Sequence, residues 1–165
     1  MIVLSLQSGT SADGIDVAVV DVAALDADER PAVGLCVLHA ETVAWSAEGR
    51  DRILAVSAGE ALTAGGFCEL DTKLGQAFAD ASAGGMAATG VVPDLVVSHG
   101  QTLFHWVEGG HARGTLQLGE PAWIAEPCPV EQRHRPVVQG IAHVRVPGLP
   151  QLARGARAHH ERRRR

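Results

Sequence analysis

Eight residues close to the N-terminus have types and spacing that can do chemistry: Gly9-Thr10-Ser11-Ala12-Asp13-Gly14-Ile15-Asp16. Glycine and small hydroxyl residues let backbone N–H groups converge on an anion. Thr10 and Ser11 add hydroxyl donors for phosphate oxygens. Asp13 or Asp16 can hold a Mg²⁺ through its waters, the usual way that ion accompanies nucleotide phosphates. The same residues also make an ordinary hairpin turn. A second group, Ser98-His99-Gly100-Gln101-Thr102, follows a short apolar run. His99, Gln101 and Thr102 offer neutral donors and acceptors suited to sugar hydroxyls, or a polar loop that satisfies its own backbone. A third, Gly119 to Glu126, reads as a helix start with Pro121 in its first turn. Its N-terminus suits an anion or a sugar, and Trp123 and Ile124 suit a core. His99, His105 and His111 recur every six residues, which matches neither one helical face nor a zinc pattern. Two common phosphate motifs, the Walker-type loop and a GxGxxG after the first strand, are absent.

These groups need elements to position them. Ile2–Leu6 is a short apolar strand, and Ile15–Val22 a β-branched one, so the turn between them closes a hairpin. Val33–Val43 alternates partly and predicts a third antiparallel strand. Arg50–Ser57 predicts a short helix, and Gly65-Gly66 a break after it. Phe67, Leu70, Leu74, Phe78 and Ala81 form one helical stripe expected in the core, and Gly84-Gly85 weakens its end. Leu95–Val97 is a short buried strand reached through that helix, hence parallel to an earlier one. Gly109-Gly110 and Gly114 predict a loop, and Thr115–Leu118 a strand. The order strand-strand-strand, helices, strand predicts an α/β domain with a mixed sheet that starts with three antiparallel strands.

Charge divides the chain in two. The 165 residues have a net charge of -5. Residues 1–126 hold 17 Asp/Glu against 5 Lys/Arg, a net of -12, whereas residues 127–165 hold 2 Asp/Glu against 9 Arg, a net of +7. The second part also holds five of the eight prolines and four of the eight histidines. It keeps no helical or strand period beyond a few residues and reads as a Pro/Arg/His-rich tail, disordered or translated from a shifted frame. Arg162–Arg165 has no aromatic platform beside it, so no nucleic-acid partner is expected. No apolar stretch approaches the ~20 residues that span a bilayer, so no membrane partner is expected either. Cys36, Cys68 and Cys128 lie too far apart in sequence for a disulfide framework or a metal knuckle, which points to a reducing, cytoplasmic setting.

In order and spacing, the segments Ser8 to Asp16, Ser98 to His105 and Thr115 to Ala122 resemble the N-terminal half of the anhydro-N-acetylmuramic acid kinases. The resemblance covers residues 1 to about 126. It implies the ribonuclease-H-like half of the actin/hexokinase/sugar-kinase superfamily, here incomplete. It also implies ATP and Mg²⁺ as cofactors, an anhydro amino sugar as substrate and a homodimer as a possible assembly. In such kinases water opens the 1,6-anhydro ring and the 6-oxygen is phosphorylated, giving N-acetylmuramic acid 6-phosphate in cell-wall recycling. Gly9, Thr10, Ser11, Ala12, Asp13, Gly14, Ile15 and Asp16 match the segment that binds the ATP phosphates. His99, Gln101 and Thr102 would then face the sugar. The family's catalytic Asp follows a later strand, ahead of a Gly-rich run, and this chain has no Asp after Asp94. The expectation is a truncated, inactive fragment whose reading frame shifts near codon 127; a DNA sequence lacking an Asp/Arg segment and a Gly-rich run in both other frames would refute the shift. Two alternatives stay open at this point: a non-catalytic sugar- or nucleotide-binding module, and a different sugar or acetate-type kinase of the superfamily.

Overall fold

A computed structural model describes residues 1–25, 32–125 and 137–139. The first three strands are β1 (Ile2–Ser8), β2 (Ile15–Leu25) and β3 (Ala32–Val43). They are antiparallel neighbours, with Leu6 opposite Val17 and Asp16 opposite Thr42. Two helices follow, α1 (Ala47–Ser57) and α2 (Ala64–Thr89). The chain then enters β4 (Leu95–Glu108), parallel to β1, and turns back as β5 (His111–Leu118). One helical turn, α3 (Ala122–Ala125), comes next, and β6 (Val137–Gln139) runs parallel to the first part of β4. The strand order is β3-β2-β1-β4-β5, with β6 also on β4. This is the mixed sheet, starting with three antiparallel strands, that the strand pattern predicts.

Alternation decides which face is covered. Leu4, Leu6, Ile15, Val17, Val19 and Val96 point to one side of the sheet and are all at most 5% exposed. Phe78, Ala79 and Ala81 of α2 and Ile124 of α3 pack onto them. Burying each large side chain of this kind contributes roughly 1.5–3 kcal/mol. A second cluster joins Ala12, Ile53, Leu70, Leu74 and Leu103, and so ties the β1–β2 turn to both long helices. The neighbouring positions Ser5, Gln7, Asp16 and Ala18 line a shallow depression of about 430 Å³ on the opposite side of the sheet.

The helix ends are set by local chemistry. Ser46 caps α1 by accepting the Gly49 N–H (3.0 Å), and Thr63 caps α2 by accepting the Gly66 N–H (3.1 Å). Gly90, at φ 67, ends α2 in the left-handed conformation.

Several expectations need correction. Gly65-Gly66 and Gly84-Gly85 lie inside α2 and neither breaks nor ends it. Gly85 is there because α2 crosses β2 closely: a Cβ on it would stand 2.8 Å from Val17 Cγ1. Phe67, the first residue of the helical stripe, is exposed, while Leu70, Leu74, Phe78 and Ala81 are buried. It precedes the part of α2 that lies over the sheet. Gly109 and Gly110 form only the tip of the β4–β5 hairpin, and Gly114 lies within β5. Glu126, Cys128 and the rest of the basic segment except 137–139 lie outside the described residues.

Candidate functional site

The turn between β1 and β2 is held from three sides through its carbonyl oxygens. Gln101 of β4 donates its Nε2 to Gly9 O at 2.7 Å. Arg50, in the first turns of α1, donates Nε to Ala12 O at 3.1 Å. Ser8 donates its hydroxyl to Gly14 O at 2.6 Å and itself accepts Trp45 Nε1 at 3.1 Å. Trp45 is fixed in turn by an edge-on contact with Phe78, centroids 5.7 Å apart. Inside the turn Ala12 N–H donates to Gly9 O (3.1 Å). The N–H groups of Thr10, Ser11 and Asp13 donate to no protein group among the described residues. A turn whose carbonyls are tied inward and whose amides are left open has the polarity of an anion cradle.

The residues of the turn divide by exposure. Gly9, Thr10, Ser11, Asp13 and Asp16 are exposed; Ala12, Gly14 and Ile15 are buried. Ala12 is wholly buried and sits at φ 51, a left-handed conformation that non-glycine residues seldom adopt. It is the one such residue among those described. Gly14 is glycine because β3 passes against it: a Cβ would lie 2.6 Å from Thr42 Cγ2 and 2.7 Å from Val43 O. Asp16 accepts the Thr42 hydroxyl at 2.7 Å through one carboxylate oxygen.

The segment Ser98–Thr102 is not a loop after a strand. It continues β4, and its irregularity is a register shift against β1 between Leu6 and Ser8, eased by Gly100 at φ 75. Its side chains separate accordingly. Gln101 and Thr102 are buried, at 0% and 3% exposure. Gln101 spends its amide on the backbone of Gly9 and Thr102, and its Oε1 has no partner among the described residues. His99 is exposed and shares a shallow depression with His105, Arg113, Thr115 and Gln117 on the β4–β5 hairpin. His105 Nδ1 lies 3.0 Å from Thr115 Oγ1 there. The structure therefore joins Gln101 to the phosphate-type turn and separates it from His99.

The third sequence group has a structural part. α3 is a single turn, too short to present an anion site at its N-terminus. The segment before it is drawn over α2: Asp71 Oδ1 accepts the Gly119 N–H at 2.6 Å. Gly75 lets it approach, since a Cβ there would stand 2.6 Å from Glu120 O.

Sequence reasoning missed Arg50, Ser8 and Trp45. Only Arg50 carried a usable signal, as a cation at the start of a helix in an acidic half. The chain's single lysine, Lys73, lies on the outer face of α2 bonded to Glu69 (2.7 Å). That hydrogen bond and the lysine charge lower the Glu69 pKa from its ordinary value. Both side chains are well exposed, so the pair carries little weight for stability.

The family model for anhydro-N-acetylmuramic acid kinase matches residues 1–133. The chain belongs to the anhydro-N-acetylmuramic acid kinase family. It is 46% identical over 127 residues to the anhydro-N-acetylmuramic acid kinase of Rhodococcus erythropolis, covering 76% of this chain and 31% of that relative. It is 41% identical over 145 residues to the one of Streptomyces avermitilis, covering 85% of this chain and 37% of the relative. For Streptomyces coelicolor the figures are 38% over 167 residues, 91% and 42%. The chain thus spans between 31% and 42% of the length of these three kinases. The family match includes all of the β1–β2 turn, β4, β5 and α3.

The turn fits the phosphates and metal that a kinase family implies. Open amides and two exposed hydroxyls suit phosphate oxygens. No group of three or more His, Cys, Asp and Glu able to hold a metal occurs among the described residues. Mg²⁺ therefore fits here only as an ion bound mainly by water and phosphate, with one or two carboxylates beside it.

Proposed function

We propose that this chain carries the phosphate-binding part of an ATP-dependent kinase acting on 1,6-anhydro-N-acetylmuramic acid. The product is N-acetylmuramic acid 6-phosphate, made in the cytoplasm during recycling of the cell wall. The observation that supports this is the β1–β2 turn, with three carbonyls pinned and three amides open, in a chain of this family. Bound ATP supplies the phosphoryl group, and Mg²⁺ offsets its charge. Thr10, Ser11 and Asp13 would hold phosphate oxygens through their amides, and Thr10 and Ser11 also through their hydroxyls. Asp13 and Asp16 would hold waters of the metal. His99 keeps the sugar-facing role, being the exposed member of its group, while Gln101 holds the turn at Gly9 O and shares its amide with Thr102 O.

The reaction needs more than these residues. Water must be activated at C1 by a general base, and the family's Asp for that step has no counterpart after Asp94. We take the 165-residue chain to be inactive alone, with the family pattern lost within residues 127–165. The homodimer stays part of the proposal. The test is titration of the isotope-labelled chain with ATP–Mg²⁺, read at the amides of the turn. Coordinated shifts of Thr10, Ser11 and Asp13 are expected; a silent turn rejects the proposal.

A further inference from the structure

Four lysine and arginine side chains lie in the described part of the molecule: Arg50, Arg52, Lys73 and Arg113. Three have a carboxylate partner. Arg52 pairs with Glu60, Lys73 with Glu69 and Arg113 with Glu108. Arg50 has none among the described residues, although the first 126 residues are strongly acidic. Its one side-chain bond is the 3.1 Å contact from Nε to Ala12 O.

That single bond does two things. It anchors the guanidinium at the turn through Nε, so that the two terminal nitrogens have no protein acceptor among the described residues. It also holds the carbonyl of Ala12, the residue that adopts the left-handed backbone conformation on which the turn depends. A strained backbone fixed from outside is a common sign of a working site. An arginine held at one nitrogen presents its other donors as a planar fork, the geometry that matches a phosphate group in two parallel hydrogen bonds. The open amides of Thr10, Ser11 and Asp13 belong to the same turn as Ala12.

We propose that Arg50 is a phosphate-binding residue of this site: its Nε holds the turn at Ala12, and its terminal nitrogens bind the phosphate chain of a nucleotide with the amides of Thr10 and Ser11. This rests on the phosphate reading of the turn proposed above. It adds the one positive charge that the turn itself lacks, and it couples anion binding to the seating of α1.

The test uses the full chain labelled with ¹⁵N and inorganic tripolyphosphate as the probe. Resonances are followed one by one, because the nine arginines after residue 127 also attract anions. The Arg50 guanidinium signals are expected to shift with the same midpoint as the Thr10 and Ser11 amides. Arg50→Ala is expected to weaken binding at the turn about tenfold, and Arg50→Lys by less, since lysine keeps the charge and loses the fork. The amide spectrum of each variant reports whether it is folded. If Arg50→Ala does not fold, the comparison of Arg50→Lys with the wild type and the wild-type guanidinium shifts decide the matter. Turn amides that respond while the guanidinium stays still and the variants bind like the wild type overturn the role of Arg50 and leave the reading of the turn standing. A turn that does not respond in the wild type overturns both.

Discussion

Replacing Gly14 with alanine is expected to lower the stability of the chain by about 3 kcal/mol, the cost of forcing a methyl group into a close-packed contact that cannot yield. The added Cβ would stand 2.6 Å from Thr42 Cγ2 and 2.7 Å from Val43 O. The first could turn away, but the Thr42 hydroxyl is held on Asp16. The second is backbone, in the strand register that sets Ile15 against Val43. Relief requires β3 to move away from β2 or the turn to open, and opening the turn strains the bond from Ser8 to Gly14 O. Gly9→Ala is the internal control. There the new Cβ meets only Ser11 Oγ, at 3.9 Å, and φ is not in the left-handed region, so stability should stay within about 0.5 kcal/mol. Urea unfolding of both variants checks this. Equal midpoints for Gly14→Ala and Gly9→Ala would remove the close approach that shapes the turn.

The purified 165-residue chain is expected to form no N-acetylmuramic acid 6-phosphate from the anhydro-sugar, ATP and Mg²⁺. A side chain near C1 would have to take a proton from the attacking water. Among the described residues, several carboxylates are committed elsewhere. Asp94 accepts the Ile2 N–H at 2.7 Å, at the opposite end of β1 from the turn; seven residues at about 3.3 Å each separate the two ends. Asp71 holds Gly119 and Asp21 holds the N-terminal amine. Asp13 and Asp16 remain at the turn, where the proposed metal needs them. Phosphoryl transfer also depends on charges placed around the whole phosphate chain, and this chain spans only 31–42% of the kinases it matches. Mass-spectrometric detection of ATP-dependent product above a no-protein blank would contradict the expectation.

Much of the fold was legible because it is written in short-range patterns. The hairpin of β1 and β2, the strand β3 and the buried positions Leu70, Leu74 and Phe78 follow from alternation, helical spacing and turn residues within a few positions of one another. The site was legible only as a string of residue types. Gln101 reads as a sugar ligand in sequence, and in the structure its amide donates to Gly9 O, a partner 92 residues away. Arg50 acts on Ala12 across 38 residues. No local pattern records either contact. The polar run Ser98–Thr102 reads as a loop because burying glutamine and threonine in a strand is costly unless each finds a partner. The turn carbonyl supplies that partner for Gln101. The pair Gly84-Gly85 of α2 reads as a break, but Gly85 serves the close crossing over Val17, which only the packed sheet reveals.

On the proposed function, the turn between β1 and β2 receives the phosphates of a nucleotide. Titration of the ¹⁵N-labelled chain with ATP–Mg²⁺ tests it most directly. The Thr10, Ser11 and Asp13 amides are expected to shift together to one saturating midpoint of about millimolar strength, while Leu35 to Val37 on the far edge strand stay in place. Amides of the turn that remain unmoved up to saturating nucleotide, or shifts confined to residues elsewhere, would contradict it.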